Sequence, residues 1–233
     1  NAALVEKVGK RIASAVETYL RSNGLGSEVQ NLAWEFNLVK SNEVNAFCMP
    51  GGKIVVYSGI LPITQNENGL ATVIGHEVAH AIAKHSNERM SQQVALKYGG
   101  ALAGGLLGNS KTAQEIGGTV LGLGAQYGVM LPYARTQELE ADKLGLIFMA
   151  MAGYDPKTAV SFWQRMAQNS GGGTPEFMST HPSDATRIQK IQNALPEALQ
   201  YYKGADVQNT GATASPSKTG NAQGAKTSEK WEF

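Results

Sequence analysis

The residues most able to do chemistry stand together at His76-Glu77-Val78-Ala79-His80, set among apolar Val73, Ile74 and Ile82. Residues four apart lie on one face of a helix, so both imidazoles can reach a single ion. Glu77 then points toward an open position of that ion without binding it. Zinc suits such donors: it lowers the pKa of a water to about 7. Glu77 can take the proton of that water and later return it to a leaving amine, as a general base and acid. The chain has only 4 histidines, so two of them falling in this pattern by chance is improbable.

Two histidines need a third protein ligand. The extended pattern H-E-x-x-H-x-x-G-x-x-H would require Gly at 83 and His at 86, where this chain has Ala83 and Ser86. His85, five residues past His80, falls well off its face and reads as structural. Carboxylates come instead from Glu138-Leu139-Glu140-Ala141-Asp142. Glu138 and Asp142 share a helix face, while Glu140 points nearly the opposite way. We therefore assign Glu138 to the metal, with one zinc per chain, and Asp142 to the other ring nitrogen of a liganding histidine. A closed four-ligand structural zinc site would favour cysteines and leave Glu77 without a role.

The elements that must position these groups are mostly helical. Leu4, Val5, Val8, Ile12, Val16, Tyr19 and Leu20 recur at helical spacing and predict a helix over about 3–22, stopped at Asn23-Gly24. Trp34, Phe36 and Leu38 alternate with their neighbours as in a half-buried strand. Val44 to Met49 and Lys53 to Ser58 read as strands joined by a turn at Pro50-Gly51-Gly52. Helices are expected over about 67–84, 87–98 and 133–152, the last ended by Gly153. Another should run from Asp155-Pro156 to about Asn169, and a last pair over 183–202. Strands precede most helices, which predicts an α+β class: a mostly helical domain over 1–203 with a small antiparallel sheet. The H-E-x-x-H helix within it makes that a zincin-like metallopeptidase domain. The Gly-rich stretch 99–130 reads as a packed helical hairpin, as a flap or surface-binding loop over the site, or as a re-entrant membrane segment. Residues 204–233 form a polar, low-complexity tail, expected to be disordered unless Trp231 and Phe233 anchor it, as in self-association.

Composition narrows the function. Of 233 residues, 42% are hydrophobic, enough for a sizeable core, and the net charge is +1. Such a balance gives no reason to expect a nucleic-acid partner. The single cysteine, Cys48, lies in an apolar run and reads as a buried, inert thiol. No run approaches the roughly 18 apolar residues that span a bilayer. The chain starts at Asn1 rather than Met, from which we expect a removed export signal.

With these residues in view, the sequence resembles the gluzincin metallopeptidases of the HtpX and CAAX-prenyl-protease type. The likeness rests on Asn45-Ala46-Phe47 with Pro50-Gly51-Gly52, Ile54 to Gly59, Gly75 to His80, Glu138 to Asp142, and Thr180-His181-Pro182 with Arg187. It implies zinc on His76, His80 and Glu138. It also implies that one strand of the 44–58 pair rims the cleft, so that an extended substrate adds a strand along Asn45 and Ala46. His181 would polarise the developing oxyanion or plug the open metal position; its plainer reading is a surface cap. Arg187 is expected to anchor its loop by a salt bridge. Lacking membrane-spanning runs, the chain is most similar to exported BepA-like and LoiP-like members. That likeness implies a periplasmic or envelope-associated zinc endopeptidase, peripheral or lipid-anchored, acting on misfolded or damaged proteins in quality control. The alternative is a self-occluded chaperone or assembly factor that binds clients without cutting them.

Overall fold

One helix, buried on every side, organises the molecule. A computed structural model describes residues 1–88, 90–91, 131–169, 176–181 and 185–204. The 99–130 stretch, the tail beyond Gly204 and Pro182-Ser183-Asp184 lie outside the described residues. The first elements are α1 (Ala2–Ser22), β1 (Glu35–Val39), β2 (Ala46–Met49), β3 (Lys53–Tyr57), the short α2 (Leu61–Thr64) and α3 (Glu67–Ile82). They are followed by α4 (Leu131–Met151), α5 (Thr158–Gln168), α6 (Glu176–Thr180) and α7 (Ala185–Leu199).

Helix α3 is buried continuously from Gly69 to His80, its polar His76, Glu77 and His80 included. Its N-terminus is capped by Asn66, whose side-chain oxygen accepts from the Gly69 N–H at 3.0 Å. Around it stand α1, the sheet, α4 and α5. Val5, Val8, Ile12, Val16 and Leu20 form the buried stripe of α1.

The α+β class holds, with a change in the sheet. The strand order is β1-β3-β2, β2 pairing antiparallel with β3 as expected and β1 pairing parallel with it. The sheet is therefore mixed, not antiparallel throughout. Burial explains the order: Ile54, Val55 and Val56 of β3 are all buried, whereas β1 alternates exposed and half-buried residues. The strand with the unbroken apolar run takes the centre. With both edges of β3 paired, the 53–58 strand cannot serve as an open rim, and β2 is the edge strand beside α3.

Helices α3 and α4 cross where two glycines meet. A Cβ built on Gly75 would lie 2.9 Å from the Gly145 carbonyl oxygen, and one on Gly145 would lie 2.9 Å from the His76 nitrogen. No side chain fits between them, so the backbones touch. Helix α4 ends as its sequence indicated: Gly153 adopts φ 82°, and the N–H groups of Gly153 and Tyr154 return to the carbonyls of Ala150 and Met149. The expected pair of helices over 183–202 is a single helix, α7, with Pro196 inside its last turns. Proline there removes one late hydrogen bond without stopping the helix.

Candidate metal centre

The backbone contact at Gly75 and Gly145 brings the acidic face of α4 against the histidine face of α3. Glu138 Oε2 lies 3.3 Å from His76 Nε2, and its Oε1 lies 3.2 Å from His80 Nε2. The two Nε2 atoms are 3.1 Å apart. His181 completes the group, its Nδ1 at 3.2 Å from His76 Nε2 and 2.9 Å from Glu138 Oε2. His76, His80, Glu138 and His181 are all buried.

This donor set fits zinc. Four tetrahedral donors at about 2.0–2.1 Å from the ion stand about 3.3 Å from one another. Five of the contacts here run from 2.9 to 3.3 Å, those of Glu138 divided between its two oxygens, and one donor atom from each residue lies within 4.8 Å of the others. Imidazole and carboxylate are also the ligand types that zinc takes. Lone pairs crowded this closely repel unless a cation or shared protons stand between them.

The surroundings tune each group. Asp142 Oδ1 lies 3.0 Å from His76 Nδ1, although without hydrogen-bond alignment. Asp142 is gripped in turn by Arg187, which donates from Nε at 2.7 Å and from Nη2 at 2.8 Å. Burial opposes ionisation of Asp142, but the Arg187 charge prevails and holds its carboxyl below the usual range. Burial would also lower His76; the carboxylates of Asp142 and Glu138 overcome it and raise the imidazole to about 9. His80 goes the other way, to about 3, lowered by burial and by charge on His76 and His181 against the pull of Glu138. Glu138 is lowered despite its burial by hydrogen bonds from His181, His76 and His80. Glu77 lies outside the donor group, with Oε1 at 3.3 Å from His181 Nε2, and burial pushes its carboxyl up.

His181 follows α6, a short helix the sequence reading did not foresee. Its N–H returns to the Phe177 carbonyl at 2.9 Å. The Phe177 N–H in turn donates to the Val44 carbonyl at 3.1 Å, tying His181 to the segment that leads into β2. Ala46 is buried on β2, and Asn45 uses its carbonyl to accept from the Tyr57 N–H. Cys48, also on β2, has its thiol pushed up to about 12 by burial and by the Glu77 charge.

Three features escaped the sequence reading. Trp163 of α5 is a shelf: the Arg187 guanidinium lies 3.8 Å from its ring centroid and the His76 ring meets it edge-on at 5.4 Å. Its spacing in an amphipathic helix gave no sign of this. His85, taken as off the face of His80, has its Nδ1 at 2.8 Å from His80 Nδ1. Glu140, expected to point away from Glu138, meets His85 rather than the donor group, at 3.1 Å from its Nε2. The meeting of the two rings has one cause: α3 ends at Ile82, and a turn at Ala83-Lys84 redirects the chain before helix resumes at His85.

A helix bearing H-E-x-x-H, crossed by a second helix that carries a glutamate, is the arrangement of the gluzincin-type zinc metallopeptidases. The chain belongs to peptidase family M48: residues 6–195 match that family. It is 39% identical over 174 residues to mitochondrial metalloendopeptidase OMA1 of Schizosaccharomyces pombe, covering 74% of this chain and 50% of the relative. Against the Saccharomyces cerevisiae protein of the same name it is 35% identical over 193 residues, 79% of this chain and 54% of the relative. The beta-barrel assembly-enhancing protease of Yersinia pestis is 31% identical over 166 residues, 69% of this chain and 34% of the relative. The chain thus spans about half the length, or less, of these curated relatives. Among the described residues no helix is long and apolar enough to cross a membrane.

Proposed function

We propose that this chain is a zinc-dependent endopeptidase that cuts extended segments of misfolded or damaged proteins. His76, His80 and Glu138 hold the ion in this reading, and Asp142 fixes the ring of His76. When bound, zinc supplies Lewis acidity, polarising a carbonyl and making water a ready proton donor. Glu77 accepts that proton and passes it to the leaving amine; its burial, which pushes the carboxyl up, suits a group that must both take and release one. An extended substrate lies along the β2 edge at Asn45 and Ala46, recognised through its backbone. A compartment in the cell envelope, as in the exported bacterial members the sequence resembles, fits this role. Peripheral attachment and self-association through the tail belong to the same proposal.

The carrying observation is the convergence of four buried donors with one glutamate beside them that is outside the group. Glu77→Gln should lower casein cleavage by at least about a hundredfold while zinc content is unchanged. Cleavage by that variant at the original rate would sink the assignment.

One observation favours a second reading. His181 stands within the donor group, where it would plug the fourth position and leave a client-binding, self-occluded protein. If His181 is a plug, His181→Ala raises casein turnover; if it steadies the oxyanion, the same change lowers it.

A further inference from the structure

The feature the proposed reaction leaves unused is the pair behind His80. His85 Nδ1 lies 2.8 Å from His80 Nδ1, and His85 Nε2 lies 3.1 Å from Glu140 Oε2. His85 is 2% exposed, so bulk water does not serve its ring nitrogens. We propose that His85, oriented by Glu140, is a positioning residue that holds His80 in the tautomer whose Nε2 lone pair faces the ion. The inference rests on the reading of His80 as a zinc ligand.

Counting protons supports it. An imidazole that offers Nε2 to a metal carries its proton on Nδ1. That proton is donated to His85 Nδ1, which must then be a lone pair. The remaining ring proton of His85 sits on Nε2 and is donated to the Glu140 carboxylate. Both rings stay neutral and each close contact has one donor and one acceptor. The reverse order would make His80 Nδ1 the acceptor and set the His85 Nε2 lone pair against a carboxylate oxygen. The carboxylate thus selects the direction of the whole chain.

The backbone supplies a second, independent sign. On a continuing helix, residue 85 would lie about 140° around the axis from His80. Instead the helix stops at Ile82 and Lys84 adopts φ 57°. That left-handed conformation favours glycine and is uncommon for other residues. It turns the chain back so that the His85 ring meets His80. Glu140 reaches the same ring from α4, on the side opposite Glu138, so one helix serves His80 from two directions.

The test measures zinc binding by competition with the chromogenic chelator 4-(2-pyridylazo)resorcinol, separately from activity. His85→Phe keeps the bulk and removes the acceptor; affinity should fall about 10–100-fold. His85→Asn places an amide oxygen where Nδ1 stood and should recover most of that loss, which a purely space-filling role would not give. Unchanged affinity in His85→Phe, or no recovery in His85→Asn, overturns the proposal. Should the variants fail to fold, imidazole 15N spectra of the zinc-loaded original chain decide. His80 protonated at Nδ1 and His85 at Nε2 is expected, and His80 protonated at Nε2 overturns the proposal. If the original chain takes up no zinc, the proposed metal site itself fails; tight binding by His85→Phe removes only the role of His85.

Discussion

His76 and His80 share one helix face and differ in what stands behind them. Behind His76 is Asp142, held by two hydrogen bonds from Arg187, which rests on Trp163. These supports come from α4, α5 and α7 and are buried. Behind His80 is His85, three residues past the end of α3, and then Glu140, whose side chain is 25% exposed. One histidine is therefore set by long-range packing and the other by a local turn with a partly solvated end. The contrast teaches that a symmetric motif need not give equivalent environments: carboxylates raise His76, while burial and neighbouring charge lower His80.

Breaking the packed side should have the largest effect. Asp142→Asn strips Arg187 of its bidentate partner in a buried setting, and we expect a loss of about 3 kcal/mol of folding stability by urea denaturation. A loss under about 1 kcal/mol would mean that the two sides are equally soft. Next comes metal retention: Glu138→Gln should lose most of its zinc on dialysis, whereas Glu140→Gln should keep it, since an amide oxygen still accepts from His85. Equal loss would move the ligand assignment. The smallest change sharpens the local side. Lys84→Gly relieves a positive φ and should raise stability by at most about 1 kcal/mol, with zinc affinity unchanged. A drop in zinc affinity there would show that the Lys84 side chain, 3.3 Å from Glu28, helps to hold the turn.

Much of this was legible in the sequence because it is periodic. The spacing of His76 and His80 and of Glu138 and Asp142 marked two helix faces, and Gly153 and the Pro50-Gly51-Gly52 turn marked the ends of elements. The sequence did not disclose which strand would be central, because β1 joins β3 across a change of direction that no local pattern encodes. Nor did it disclose His85, since extrapolating a helix past Ile82 sends that ring away, and a lysine rather than a glycine makes the turn. Trp163 was legible only as core. Its second use depends on Arg187 arriving from α7, a matter of tertiary packing alone.

The contact of Gly75 with Gly145 makes the spacing of two helices a property of main chain alone. The distance between the backbone that carries His76 and the backbone that carries Glu138 is set there with no side chain between to repack. Adding one methyl group at either glycine would have to push the helices apart and carry the acidic face of α4 away from the histidine face of α3.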